Sequence, residues 1–302
     1  MRLRDIARLF ILSVKDSFKG KLWKWLMGGT GSLFALFLFG KNFLNTSAVV
    51  SITIGAIIIF ALYLIRLVLI FMKNVINHYH FLYVDSIYGE AIVLLKNAFA
   101  KIHRLRKLDT ISDEVFLDAV LTMCENLKKY FDKKTKSICS VSIKVPLSKT
   151  SISISSGKHI SSSESVRNLC RDTISAKIRN TDLYNATNHT ILGNTAYQKV
   201  VLNVLNGDSS KFYYINNDID SSRDYENTSR AAYPNGQLFY KSELVYPLVP
   251  ALMPSDKNFE LAGFLTIDCT VKNKFDEKYD VAIVEGVADG LYDVIMKRNQ
   301  FT

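Results

Sequence analysis

AVVSITIGAIIIFALYLIRLVLIFM, from Ala48 to Met72, is an apolar run interrupted by only three side chains that carry stronger polarity, Ser51, Thr53 and Arg66. It exceeds the ~20 residues that a helix needs to cross a hydrocarbon core about 30 Å thick. The run therefore predicts a transmembrane helix.

A second apolar segment precedes this run. Leu22 to Phe39 is shorter and carries Lys24 near its start, but it ends in a strongly apolar stretch. The connection from Gly40 to Ser47 is too short to hold a domain. Together the two segments predict a two-helix transmembrane hairpin over residues 22–72.

Arg66 is the one charge inside the second predicted span. It could line a pore or pair across helices, as intramembrane charges often do. It also lies six residues before Met72, roughly 9 Å along a helix, so its side chain can reach the interface by snorkelling. We favour snorkelling.

Basic residues flank the hairpin asymmetrically. Residues 1–24 carry seven Lys and Arg, residues 73–107 carry six, and the turn carries only Lys41. The positive-inside rule then places both termini and the C-terminal domain in the cytoplasm, at a bacterial inner membrane. A cleaved signal peptide is the competing interpretation, but lysines at positions 15, 19, 21 and 24 interrupt any apolar core that it would need.

Net charge differs between the two parts of the chain. Up to Lys107 it is +11, and from there to the end it is −1. A basic face toward anionic lipid headgroups explains the excess, and the near-neutral remainder disfavours binding of polymeric nucleic acid. The cysteines at 124, 139, 170 and 269 form no C-x-x-C pair, so we expect reduced, mostly buried thiols and no metal site.

Two further helices are predicted around the spans. Residues 1–21 place Leu3, Ile6, Phe10, Val14 and Phe18 on one line, which indicates an amphipathic helix lying in the membrane interface, or else one packed on the C-terminal domain. Residues 73–110 form a signalling or linker helix with an apolar seam at Tyr88, Ile92, Leu95, Phe99 and Ile102. The seam favours a homo-oligomer, although a helix facing its own core gives nearly the same pattern.

Residues 111–302 change from helical to mixed periodicity. A helix is predicted from near Thr110, with Asp113 placed as in a capping box, and Lys149 to Ser165 reads as a polar hairpin or a mobile loop. Strand patterns cover 138–145, 212–216, 238–248 and 259–269, and helical patterns cover 195–205 and 277–296. This order predicts an α+β domain around one sheet.

Five segments give this region a resemblance to a known family. They are LCRDTIS (169–175), GNTAYQKVV (193–201), YKSELVYPLV (240–249), LAGFLTIDC (261–269) and FDEKYDVAIVEGVADGLYDVI (275–295). Across about 112–297 the chain resembles a GAF domain of the bacterial cytoplasmic sensing type. The resemblance implies a six-stranded antiparallel sheet with helices on one face and a ligand pocket on the other.

Candidate ligand-binding residues follow from residue type around that pocket. Cationic groups beside a helix N-terminus suit a phosphate, and tyrosines 213, 214, 225 and 240 could stack on a base or belong to the core. For each charged residue, an ordinary solvated surface or a local Arg-Asp pair is the alternative. The candidates are Arg171, Arg179, Asn194, Asp218, Arg223 and Lys241.

Motifs for catalysis are missing from the sequence. It holds no P-loop, no G-x-S-x-G and no H-E-x-x-H, and the histidines at 159 and 189 stand alone. We therefore expect no enzyme and no cofactor. Two functions stay open: a membrane effector of the kind found in bacterial anti-phage signalling, which binds a small nucleotide-like messenger, and a tethered sensor that signals to a separate partner, with the spans as passive anchors.

The topology can be tested with reporter fusions. A reporter fused after Thr302 is expected to behave as cytoplasmic, and one inserted at Asn45 as periplasmic, because Lys and Arg concentrate outside the turn. Reversed labelling would contradict both functional hypotheses.

Overall fold

The computed structural model describes residues 3–19, 28, 46–147, 151–155, 160–178, 189–207, 211–250 and 258–299. By its internal contacts the chain divides into two units, Met1–Ser86 and Ile87–Thr302. Helix α2, Thr46–Lys107, contributes residues to both.

The first unit contains helix α1, Leu3–Ser17, and the first part of α2. The predicted helix at the N-terminus is present. Its buried side chains are Leu9, Ser13 and Ser17, whereas Ile6, Phe10 and Phe18 of the predicted apolar line are exposed. Asn74 Nδ2 donates to Ser13 Oγ at 2.9 Å, so α1 packs along α2 through a polar contact. Phe10, on the apolar line, stays 49% exposed.

Helix α2 is long and apolar enough, by length and composition, to cross a membrane, and it is the one such helix among the described residues. None of its apolar stretch is buried. Arg66 Nη2 donates to the carbonyl oxygen of Lys19 at 2.9 Å. The first predicted span, Leu22 to Phe39, lies outside the described residues apart from Gly28, and so does most of the predicted turn.

The second unit uses the end of α2 as a core helix. Its buried stripe consists of Ile87, Ala91, Leu95, Ala98, Ile102 and Leu105. The predicted seam is thus shifted: Leu95 and Ile102 face the core of their own unit, whereas Ile92 is 73% exposed. The alternative of a core-facing helix accounts for the pattern, and self-association stays a prediction. Residues 87–107 therefore belong with the α+β unit.

Helix α3, Asp113–Thr135, starts later than predicted. Its N-cap is Ser112, whose Oγ accepts from the Val115 amide, so the predicted capping pair of Thr110 and Asp113 is wrong. The face that it buries includes Phe116, Met123 and Leu127, as the pattern indicated.

Six antiparallel strands form the main sheet, in the order β4-β3-β1-β8-β6-β5. The expected six-stranded antiparallel sheet with flanking helices is confirmed. The strands and the remaining helices are β1 Cys139–Pro146, β2 Ile152–Ser155, β3 Ser165–Arg171, α4 Thr173–Ile178, β4 His189–Thr190, α5 Thr195–Leu205, β5 Tyr214–Asn216, β6 Ser242–Leu248, β7 Asn258–Leu261, β8 Gly263–Cys269 and α6 Tyr279–Asn299.

One face of this sheet is apolar. Side chains alternate along a strand, so Val141 and Ile143 of β1 share a face with Ile267 and Leu265, their partners on β8. Helix α3 packs against β1 and α6 packs against β6 and β8. This layer holds most of the core of the unit.

The cysteines are free thiols, and three of the four are buried, as expected. Cys139 and Cys269 are cross-strand partners in the β1–β8 pair.

The predicted strand 259–269 divides into β7 and β8 at Gly263. Strand β7 leaves the main sheet and pairs with β2, which lies in the segment predicted to be a polar hairpin or loop. Gly263 makes the change of direction with φ at 145°, and a Cβ there would lie 1.9 Å from the Lys144 carbonyl oxygen. Glycine is thus required at this junction.

Gly263→Ala is expected to destabilise the second unit by at least about 2 kcal/mol, because the methyl group meets backbone and the φ is strained. Gly286→Ala is the control, since that exposed glycine of α6 has open space around its Cβ position. Alanine there should be neutral or stabilise by up to ~1 kcal/mol. Thermal unfolding of the purified full-length variants measures both effects. Equal melting temperatures for the two variants would contradict the requirement for glycine at position 263.

Candidate ligand-binding site

The second face of the sheet is polar. Ser140, Ser142 and Lys144 alternate with the apolar residues of β1, and Thr266 and Asp268 do so on β8. All five are at most 8% exposed. Strands β1 and β8 are therefore buried on both faces, one of them lined with groups that need hydrogen bonds.

Helix α5 covers part of this polar face. It packs against β5 and β6, and the Tyr197 ring stacks on Phe264 with ring centroids 4.5 Å apart. Between the sheet, the first turn of α5 and the 3-10 helix Thr228–Ala232 lies a cleft of about 330 Å³, counted with the solvent at its mouth. Its lining comprises Ser142, Lys144, Arg171, Asn194, Ala196, Tyr197, Asn227, Ser229, Tyr240, Glu243, Thr266 and Asp268.

Two cations line the cleft. Lys144 is 3% exposed on β1, and Arg171, at the end of β3, is the cross-strand partner of Ser142. A register shift between Ile143 and Lys144 interrupts the β1–β3 pairing at this point. Bulges of this kind re-aim side chains near binding sites.

Asp172 fixes the backbone beside Arg171. Its carboxylate accepts from the Val141 amide at 2.9 Å and from the Ser175 amide at 2.8 Å. The first bond ties the end of β3 to β1, and the second caps α4. Because both carboxylate oxygens of Asp172 already accept backbone amides, the side chain positions the end of β3.

Two carboxyl groups face each other on the other side of the cleft. Glu243 of β6 and Asp268 of β8 are direct cross-strand partners, and both are nearly inaccessible. Burial, and secondarily the charge of Asp268, raise the pKa of Glu243 to about 8, although a hydrogen bond from Tyr225 opposes the shift. One oxygen of Glu243, Oε1, is buried and accepts no hydrogen bond from any residue that the structure describes.

A hydroxyl network joins the carboxyl end to the loop above it. Tyr225 and Tyr240 share a hydrogen bond of 3.2 Å between their hydroxyls, and Asn227 Nδ2 donates to the Tyr240 hydroxyl at 2.8 Å. On the floor, Ser142 Oγ and Thr266 Oγ1 lie 2.7 Å apart. The cleft therefore offers both donors and acceptors in fixed positions.

The structure brings two of the six sequence-predicted binding residues into this cleft, Arg171 and Asn194. Asn194 is the N-cap residue of α5, as predicted, but its side chain makes no capping bond. Its amide nitrogen donates to the Thr190 carbonyl at 2.5 Å, and its amide oxygen accepts from the Thr228 amide at 3.1 Å. Asn194 thus holds the cover of the cleft in place.

The other four candidates are not in the lining. Lys241 and Arg223 are exposed, Asp218 forms an ion pair with Lys272 at 2.6 Å, and Arg179 lies outside the described residues. Whether any of the six contacts a ligand stays a prediction.

Sequence reasoning missed Lys144, Glu243 and Asp268. Lys144 and Asp268 sit in strands with alternating polar side chains, a pattern that normally marks a solvated face, and Glu243 sits near the start of the mostly apolar strand β6. The signal that could have found them was a single charged side chain within an otherwise uncharged strand, as in SIKVP, SELVYPL and GFLTIDC.

Comparison of the chain with known proteins gives similarity in fold alone. No protein-family model and no curated protein matches the chain. Among solved structures it is similar to a putative GAF sensor protein from Burkholderia vietnamiensis, at 11% identity over 69% of this chain and 92% of that one, with a TM-score of 0.37. It is also similar to the GAF domain of the Acinetobacter phosphoenolpyruvate-protein phosphotransferase, at 12% identity over 67% and 91%, with a TM-score of 0.38.

A third solved structure is the type II free methionine-R-sulfoxide reductase from Thermoplasma acidophilum. It is 18% identical over 60% of this chain and 94% of that one, with a TM-score of 0.33. Likeness at this level carries no argument about ligand or activity, so the functional reasoning rests on the cleft itself.

Glu243→Gln is expected to change how stability depends on pH. With its pKa raised to about 8, folded Glu243 keeps a proton that the unfolded chain loses from about pH 4.5, so stability falls as pH rises between these values. Glutamine removes that loss of stability. The variant should therefore gain up to about 5 kcal/mol relative to the wild type at pH 8.5, and little at pH 4.5.

Thermal unfolding of the full-length protein across this pH range measures the effect. Glu277→Gln, at an exposed position, is the matched control and should follow the wild type. A Glu243→Gln profile parallel to that of the wild type would refute the raised pKa.

Proposed function

We propose that the chain is a membrane-anchored receptor whose GAF-like cytoplasmic domain binds a small nucleotide-like messenger. The observation that carries the proposal is the buried cleft, where two cations and two carboxyl groups line the polar face of the sheet. Buried ionisable groups with perturbed pKa values concentrate at binding and active sites. The proposal assigns no chemical reaction to the domain.

The cationic end of the cleft suits an anionic group. Lys144 and Arg171 supply charge-assisted donors, and the first turn of α5, at Ala196 and Tyr197, borders the same space. A helix N-terminus adds a favourable dipole and backbone amides. A phosphate is the group that these features would hold best.

Cleft size limits the messenger. The enclosed part of the cleft is about 20 Å³, enough for little more than one water molecule, so a messenger would enter only if the cleft widened. We therefore favour the smallest members of the class, a mononucleotide or a cyclic mononucleotide, over a larger oligonucleotide. The Tyr197 and Tyr240 rings in the lining provide surface for a base.

The proposed output is a change in the integrity of the bacterial inner membrane. The support is the combination of an apolar helix with no buried residue in its apolar stretch and a ligand cleft in the unit that shares α2. In architecture this resembles the membrane effectors of anti-phage signalling systems, which is an analogy. Inner-membrane lipids and other copies of the chain are the proposed partners.

A tethered sensor is the second candidate. It would pass ligand occupancy to a separate protein, with the membrane segments as passive anchors. One observation favours it: among the described residues, a single helix meets the requirements for a span, and one span suffices for anchoring.

The test uses the full-length protein in liposomes loaded with a self-quenching dye. A panel of mononucleotides, cyclic mononucleotides and cyclic dinucleotides is expected to contain a compound that raises the melting temperature, because a ligand of the native state stabilises it. The same compound should then cause dye leakage.

Lys144→Met and Arg171→Met should abolish both responses, whereas Lys129→Met, at an exposed position of α3, should leave them unchanged. Stabilisation without leakage would favour the tethered sensor. If a compound still stabilises both cleft variants, the binding site lies outside the cleft. If none of the nucleotides stabilises the wild type, the messenger hypothesis is refuted.

A further inference from the structure

The carboxyl end of the cleft has no role in binding a phosphate. Glu243 and Asp268 offer carboxyl oxygens rather than cations, yet they line the same space as Lys144 and Arg171. The cleft therefore has two chemically different ends, with cationic groups on β1 and β3 and a pair of carboxyl groups on β6 and β8.

Glu243 points to what the carboxyl end binds. The residue is 3% exposed, and Oε1 is buried without a hydrogen-bond partner among the described residues. A buried carboxylate oxygen left unsatisfied is unfavourable by about 1–3 kcal/mol or more. An oxygen in this state at the wall of a cleft is a position for a donor supplied by a ligand.

We infer that the ligand carries a nitrogen group with N–H donors that binds at Glu243 and Asp268, while its anionic group binds at Lys144 and Arg171. This inference rests on the proposed function, and it identifies the chemical group at the end of the ligand opposite to its anionic group. An ammonium or guanidinium group and the amino edge of a nucleobase share this chemistry, and the anionic end is a carboxylate or a phosphate, respectively.

Binding of such a group is linked to protons. The raised pKa of Glu243 leaves its carboxyl group protonated at pH 7, and N–H donors favour the ionised form. Binding then transfers the carboxyl proton to solvent, and the carboxylate accepts the ligand's N–H groups. The ionisable side chains around Glu243 are Asp268 on β8, Tyr214 on β5 and Tyr225, with the cleft cations Lys144 and Arg171.

Two matched pairs of probes separate the sources of this chemistry. GMP and IMP differ by one exocyclic amino group, and L-arginine and L-citrulline differ by a guanidinium against a neutral ureido group. In one of the pairs, the nitrogen-richer member should bind the full-length protein in detergent micelles at least about tenfold more tightly.

Titration calorimetry at pH 7 in two buffers of different ionisation enthalpy measures affinity and proton release together. Up to about one proton should be released per ligand bound by the wild type. Glu243→Gln should remove the release and reduce the discrimination within the pair to under about threefold. Glu277→Gln, the exposed control, should keep both.

The outcomes separate the inference from the proposed function. Preference for arginine over citrulline, with no binding of either nucleotide, supports the inference and contradicts the nucleotide messenger. Equal binding of GMP and IMP, unaffected by Glu243→Gln, supports the messenger and overturns the inference. No binding of any of the four compounds overturns the inference, whereas the messenger is refuted only if the wider nucleotide panel also fails to stabilise the protein.

Discussion

Burial of strands β1 and β8 on both faces is the constraint around which the second unit is arranged. Their apolar side chains, such as Val141 and Ile267, enter the core, and the alternating side chains, such as Lys144 and Asp268, are equally inaccessible. Fully burying a large apolar side chain contributes about 1.5–3 kcal/mol, so the apolar face supplies most of the stability of the sheet. The polar face contributes less, because each buried polar group gives up hydration and needs a hydrogen-bond partner in return. Polar groups kept buried in this way are common at functional sites.

A second buried charge ties the helices of this unit together. Asp280 is 0% exposed and accepts from Lys134 on α3 and from the hydroxyls of Tyr88 and Tyr130, at 3.4 and 3.3 Å. Tyr88 belongs to α2, so one carboxylate joins three helices. Unlike Glu243, both oxygens of Asp280 have protein partners, which makes this network structural. Removing one partner would leave a buried charge uncompensated, an effect that reaches 3–5 kcal/mol in other proteins.

The sequence allowed the elements with clean periodicity to be predicted. Helix α5 matches residues 195–205, and α6 and β6 were located within a few residues, because their apolar spacing is regular. Strand β3 and the role of residues 87–107 were harder to predict. A short strand with mixed polarity has no distinctive period, and a stripe facing its own core looks like a seam facing another chain. Whether a polar residue is surface or cleft depends on what covers the sheet, and local sequence does not encode that cover.

The same dependence on what covers the sheet explains which residues of the cleft were predicted from the sequence and which were missed. Arg171 and Asn194 were identified by residue type and by the resemblance of their segments to a known fold, and both line the cleft. Lys241 was also chosen by residue type, as a cation near the expected pocket. It is exposed, because its position falls just before β6 rather than within it.

Any effect of a ligand on α2 has to pass through the sheet and the helices behind it. A ligand shifts a conformational equilibrium only by its differential affinity for the two states. On β1, Lys144 faces the cleft and its neighbour Ile143 faces the core, so a displacement of this strand alters both layers at once. Helix α2 is joined to α3 through Lys101 and Asp118, and to α6 through Arg106 and Asp293. These surface ion pairs are individually weak, so the close packing of Phe99 of α2 against Gly290 of α6, together with the Asp280 network, is the stiffer connection. Under the proposal, a ligand bound at both ends of the cleft would contact β1, β3, β6 and β8 together, whereas a simple anion would contact only the cationic end on β1 and β3.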